Sequence, residues 1–329
     1  MMNRRALLLA PAALALPTLA LATPALAQPG FPNRPIRLVV AFPAGGPTDV
    51  LARVVGERMA AELGQPVVIE NRGGANGNIA AEAVSKMDAD GYSLLYNTSS
   101  IAISRALYRR LAYDVLRDLT PVALTAAAPS LLVVNPGLPV RNAAEFITWA
   151  RANSGRISYS SGGVGNASHL QAFMVMKHLG ADAVHVPYRG TAAALTDVAA
   201  GNVQFMSDAL NTALPLAREG RVRAIAVTTG RRSAQLPEVP TMAETGLMPR
   251  DFDSGIWQGI MAPARTPPAA LARLNQAVNV ALRDPAVAAR IEQMGAWPTG
   301  GSTEDYKKYL DAEIALWARV VPETGAAED

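Results

Sequence analysis

The chain has 329 residues, half of them hydrophobic and 17% charged, with a formal net charge of +3 and no cysteine. That composition excludes a disordered chain and supplies enough apolar material for two domains, while the missing Cys excludes disulfides, thiolate metal sites, a cysteine nucleophile and a lipid-modified N-terminal cysteine. No basic stripe offers a surface to nucleic acid: without Arg4 and Arg5, 28 basic residues face 27 acidic ones.

The first 27 residues read as a signal peptide. Arg4 and Arg5 precede an Ala/Leu-rich run broken by Pro11, Pro17 and Pro24, and small residues Ala25 and Ala27 mark a cleavage site before Gln28. A run this short and broken is a poor membrane anchor. The mature chain is therefore expected to be a free periplasmic protein with no membrane insertion.

The segment IRLVVAFPAGGPTDVLAR, from Ile36 to Arg53, follows. Its apolar start predicts a buried strand, Pro43, Gly45 and Gly46 release the chain from extended conformation, and Gly46 as N-cap with Pro47 at N1 opens a helix. A glycine loop at a helix start gathers backbone N–H groups and the positive end of a helix dipole, a geometry suited to a carboxylate or phosphate. The alternative is a plain strand-to-helix turn. Gly64 ends this helix; strands at 66–70 and 91–96 and helices from Ile79 and Ile101 continue the alternation of parallel βαβ units.

Apolar segments at 121–127 and 131–134 flank Pro129, where a crossing into a second lobe is expected near Ala128. Asn142 and Glu145 have capping-box spacing before a helix. RISYSSGGVGNASHLQAFMVMKHLG, from Arg156 to Gly180, then repeats the opening device of strand, paired glycines and helix. Two such loops in separate halves suit a site shared by two lobes. A strand near 183–187, a Gly190 turn, a helix with Thr191 as N-cap, and strands in VQFMSDAL and VRAIAVTTG follow. GIWQGIMAP, Gly255–Pro263, reads as a strand returning to the first lobe, and the remainder as three helices, the last two joined by a Pro/Gly/Ser linker.

The chemistry-bearing residues point to binding. GGVGNAS lacks the third glycine of a dinucleotide loop, and no phosphate-loop, nucleophile-elbow or zinc-protease motif occurs. His169, His178 and His185 lack the spacing of a helical metal pair. Asp49 would repel an incoming carboxylate, so bracing its own loop is the expected role. His169 either donates to a ligand or, more in keeping with its position, bonds the loop. Asp208, at a strand end, either receives an ammonium or hydroxyl from the ligand or braces the lobes. Tyr188 and Arg189 precede Gly190. Neither glycine loop contains Lys or Arg, so anion recognition is expected from the loops' own N–H groups at helix starts.

Six separated motifs, PIRLVVAFPAGGPTDVLAR, PVVIENRGGANGNIAAEAV, DGYSLLY, SSGGVGNASHL, HVPYRGTAAALTDVAAG and LPEVPTMAETG, resemble those of the periplasmic solute-binding receptors of tripartite tricarboxylate transporters, the Bug or TctC-like family, from about Phe31 to the C-terminus. The resemblance implies an α/β type II periplasmic-binding-protein fold with two doubly wound lobes and a cleft between them. The expected division is 28–127 and 252–329 in one lobe and 128–251 in the other. It implies a small carboxylate ligand held by loops matching Pro43–Asp49 and Ser161–His169, no cofactor and no metal. The expected ligand-binding set is Pro43, Ala44, Gly45, Gly46, Thr48, Asp49, Ser161, Gly162, Gly163, Asn166, Ser168, His169, Tyr188, Gly190, Thr191 and Asp208. Pro47 stands where many relatives have serine, removing one hydroxyl and one N–H. Expected partners are the membrane subunits of such a transporter, or a sensor kinase, approached by a monomer. An exported lyase or hydrolase is the alternative from another class.

Overall fold

The computed structural model describes residues 30–328, so the expected signal peptide lies outside the described residues. The chain runs β1 (Ile36–Val40), α1 (Pro47–Leu63), β2 (Val67–Asn71), α2 (Asn78–Ser85), β3 (Ser93–Thr98), α3 (Ser100–Leu107), α4 (Val115–Asp118) and β4 (Leu119–Ala128). It continues β5 (Ser130–Val134), α5 (Ala143–Ala152), β6 (Ile157–Ser161), α6 (Ala167–Leu179), β7 (Ala183–Pro187), α7 (Thr191–Ala200), β8 (Phe205–Ala209), α8 (Leu210–Arg218), β9 (Arg223–Val227) and α9 (Met242–Thr245). β10 (Ile256–Pro263), α10 (Pro268–Arg283), α11 (Pro285–Gln293), β11 (Trp297–Gly300) and α12 (Thr303–Glu323) complete it.

The strands form two sheets, ordered β11-β4-β10-β3-β1-β2 and β7-β6-β8-β5-β9. β1 pairs in parallel with β2 and β3, and β6 with β7 and β8, as βαβ connections require; β10 and β5 add antiparallel partners. Continuous apolar strands follow from helices covering both faces. Ile36, Leu38 and Val40 pack on Leu51, Val55 and Met59 of α1 and Leu274 of α10, whereas Val39 faces Val84 of α2 and Leu310 and Trp317 of α12. In the second sheet Leu132 and Val134 meet Phe146 of α5 and Val175 of α6, while Leu131 and Val133 meet Leu195 of α7 and Leu214 of α8. Two lobes of α/β structure result.

The chain passes between sheets twice. Pro129 alone separates β4 from β5, and 228–255 leads back to β10. Around these passages Thr228 N–H donates to the Ser130 carbonyl at 3.0 Å, Ser254 N–H to the Thr228 carbonyl at 3.0 Å, and Ser99 N–H to the Trp257 carbonyl at 2.9 Å. No helix among the described residues is long and apolar enough to cross a membrane.

Local expectations need three corrections. Thr191 is the first helical residue of α7 and Gly190, at φ 106°, holds the cap position; a threonine there would be strained. The capping box at α5 is half formed: Asn142 accepts from Glu145 N–H, but the Glu145 carboxylate turns to Arg141 N–H at 2.7 Å. The Pro/Gly/Ser linker before α12 contains β11, an edge strand on β4. Proline belongs at such an edge, where its missing N–H breaks no ladder.

Candidate functional site

A cavity of about 400 Å3 is lined by strand ends and strand-to-helix turns of both sheets. First-turn residues of five helices line it: Thr48 of α1, Ser100 of α3, Ala167 and Ser168 of α6, Thr191 of α7, and Asn211 and Thr212 of α8. These are strand-to-helix turns at the carboxyl ends of sheet strands, the place where open α/β sheets bind ligands. Residues in a helix's first turn have no preceding turn to bond, so their N–H groups face the cavity side of each helix with the positive dipole end. Phe42, Leu51, Ile103, Ile256 and Met294 supply an apolar wall. Among the described residues, no Lys, Arg or His lines the cavity.

The amides of the glycine loops are largely spent inside the loops. Gly45 N–H donates to Asp49 Oδ2 at 2.9 Å, Gly162 N–H to Ser168 Oγ at 3.0 Å, Gly163 N–H to Ser161 Oγ at 3.2 Å and Gly165 N–H to His169 Nδ1 at 3.1 Å. The glycines shape the turns, and some first-turn amides are taken as well: Ser100 N–H donates to Thr98 Oγ1 at 3.3 Å and His169 N–H to Asn166 Oδ1 at 3.0 Å. Gly165 shows why glycine is needed: at φ 70° an added Cβ would also lie 2.4 Å from Leu107 Cδ1 of α3, on the other sheet's side of the cavity. Gly46, at φ −76°, carries no such constraint.

Asp49 braces its loop. Besides Gly45 it accepts from Arg53 Nε at 3.0 Å and, through Oδ1, from Asn71 Nδ2 at 2.8 Å. Burial pushes its pKa up, but those donors outweigh burial and hold it near about 2. His169 also serves its loop, accepting from Gly165 and stacking on His185 at 3.7 Å between ring centroids; His185 Nε2 sits 2.6 Å from Ser161 Oγ. Burial lowers both imidazoles to about 4, with the neighbouring ring's charge adding to the effect on His169, so both are neutral at pH 7.

Asp208 lines the cavity and is 4% exposed. Its Oδ2 accepts from Thr212 Oγ1 at 2.5 Å. Burial raises its pKa to about 6, against hydrogen bonds from Thr212, Ala209 and Thr191 that lower it.

Of the expected set, Thr48, Asn166, Ser168, Thr191 and Asp208 line the cavity. Pro43, Ala44, Gly45, Gly46, Asp49, Ser161, Gly162, Gly163, His169, Tyr188 and Gly190 do not line it; Tyr188, for one, donates its hydroxyl to Asp197 Oδ2 at 2.5 Å. The sequence reading missed Asn76, Ser99, Ser100, Asn211, Thr212 and Gln258. Asn76 carried a signal, because GGANGN is a glycine-rich loop entering a helix, and it holds φ 53°, a left-handed conformation asparagine tolerates. Gln258 carried none: it reaches the cavity only because β10 pairs with β3.

The tripartite tricarboxylate transporter family receptor description matches residues 51–326. Protein BugT of Bordetella pertussis is 37% identical over 298 residues, covering 90% of this chain and 91% of that protein. The structure of R. palustris Rpa4515 with adipate is 38% identical with a TM-score of 0.77, over 90% of this chain and 99% of that one. MatC of Rhodopseudomonas palustris with bound malate is 34% identical with a TM-score of 0.73, over 88% and 100%. The two-lobe α/β fold is that of periplasmic binding proteins, whose members here are receptors and not enzymes. On these grounds, the chain belongs to the tripartite tricarboxylate transporter receptor family.

Proposed function

We propose that this protein is a periplasmic receptor that captures a small carboxylate between lobes 28–127 with 252–329 and 128–251, and delivers it to the membrane subunits of a tripartite tricarboxylate transporter. The convergence of five helix starts from both sheets on one cavity without Lys or Arg carries this reading. A hydrogen bond to a charged group contributes about 1.5–3 kcal/mol net, and each helix terminus adds about 0.3–1 kcal/mol. Three or four first-turn amides thus suffice for micromolar affinity, about 8 kcal/mol, after association costs. The adipate and malate bound by the two solved relatives support the ligand class.

The test is a thermal-shift screen of carboxylic acids on unfolded, ligand-stripped and refolded protein, followed by calorimetry. A ligand at 100 times its Kd should stabilise the native state by about 2.7 kcal/mol. If no carboxylate raises the melting temperature while a neutral or cationic solute does, the reading fails.

A further inference from the structure

The cavity presents an unexpected balance of charge for a site that takes anions. Among the described residues that line it one is formally charged, and that one, Asp208, is negative. Its donors, Thr212, the Ala209 backbone and Thr191, are all neutral, and Thr212 Oγ1 is shared with the Ala209 carbonyl at 2.8 Å, so no cation balances its charge. Gln258, 8% exposed, lines the same cavity, and its Oε1, turned away from solvent, has no hydrogen-bond partner among the described residues. Buried acceptors without donors are costly, and a buried carboxylate without a cation more so. The helix starts supply donors for one carboxylate, whereas Asp208 and Gln258 ask for the opposite.

Resting on the carboxylate-receptor reading, we infer that the ligand is a zwitterion, a compound with one carboxylate for the helix starts and an ammonium group for Asp208 and Gln258, carried on an apolar skeleton. Such a ligand brings no net charge into a cavity that holds one negative side chain. Its ammonium donates to Asp208, with N–H groups left for Gln258 Oε1 once that amide turns toward the cavity, and its carbon skeleton faces Phe42, Leu51, Ile103 and Met294. A dicarboxylate would instead set a like charge near Asp208 and could be accommodated only with a proton between the two carboxyl groups. The raised pKa of Asp208 fits a group awaiting a cation, since an ammonium in contact would draw it back to the ionised form.

Calorimetric titration of the ligand-stripped protein with matched probes tests this. L-leucine, L-phenylalanine and 6-aminohexanoate carry the amino group; 4-methylpentanoate, 3-phenylpropanoate and hexanoate lack it, and adipate replaces it with a second carboxylate. At least one amino compound is expected to bind tenfold or more tightly than its partner without the amino group. Asp208→Asn is expected to erase that preference, with a loss of tenfold or more for the amino compound and a change under threefold for its partner. Gln258→Leu should lose threefold to tenfold on the amino compound alone. Equal binding of partners in the wild type, or adipate binding to the wild type more tightly than every amino compound, overturns the zwitterion assignment and leaves the carboxylate reading intact. Failure of every acid to bind, with or without an amino group, overturns both. The wild-type comparison decides the matter without either variant.

Discussion

Asp49 and Asp208 are buried carboxylates within the same ligand region, yet their surroundings drive them in opposite directions. Asp49 has three donors, one of them a guanidinium, and is held near about 2; Asp208 has hydroxyl and amide donors in a drier place and rises to about 6. The first carboxylate is spent on structure and the second lines the cavity. Replacing Asp49 by Ala strands the Gly45 N–H and the Asn71 amide, and should cost about 1–3 kcal/mol in urea unfolding at pH 7. A depressed carboxylate stabilises above its unfolded pKa and loses that contribution as pH falls through its folded value, so the deficit of the variant should shrink between pH 3.8 and about 2. A deficit that persists at pH 2 would assign the loss to packing instead. The glycines divide in the same way: Gly46→Ala should be tolerated, because its φ is ordinary and the nearest atom to an added Cβ is 3.5 Å away, whereas Gly165→Ala meets both strain and Leu107.

At the scale of elements, the second lobe's loop rests on a stack. β6 contributes Tyr159 and Ser161, β7 His185 and α6 His169, so the rings of three consecutive elements lie under the turn that opens α6. Asn166 caps that helix by accepting from His169 N–H at 3.0 Å and Ser168 Oγ at 2.7 Å. Both imidazoles have folded values below 6.5, so the unfolded chain binds more protons between pH 6.5 and 4, and stability falls as the solution is acidified through that window. A shift from 6.5 to about 4 corresponds to about 3 kcal/mol for one group. Asp208, raised, works in the opposite sense over part of the same range, so the decisive quantity is the difference between variant and wild type. His185→Gln should flatten the acid fall in urea midpoints. An unchanged slope would show that the stack does not govern acid stability.

The whole molecule has a cavity whose walls come from two sheets joined by two passages of chain. A ligand contacting both walls favours the closed arrangement by its differential affinity for it. Small-angle scattering should show a smaller radius of gyration when a carboxylate that binds by calorimetry is added; an unchanged radius would count against hinge closure. Gly165→Val should weaken both binding and compaction, because the turn of α6 meets Leu107 of α3 across the boundary. Its effect on urea stability should be smaller than its effect on affinity if the interlobe contact, and not the lobe itself, is what the side chain disturbs.

Local rules made much of this protein legible in its sequence. Strand and helix alternation, the Gly46 and Pro47 start of α1, the Gly64 stop and the return strand at Ile256–Pro263 all follow from apolar runs, propensity and caps that act over a few residues. Both glycine loops, and with them Thr48, Asn166 and Ser168, were readable for the same reason. The site's other wall was not. Gln258, Asn211 and Thr212 gain their meaning only when β10 enters beside β3 and α8 follows β8 beneath the second sheet, and the commitment of Gly45, Gly162 and Gly165 N–H groups to their own loops depends on side-chain positions. Local sequence sets where the chain turns. Which donors remain free, and which acceptors face them across a gap, is decided by strand order and packing between residues far apart in the chain.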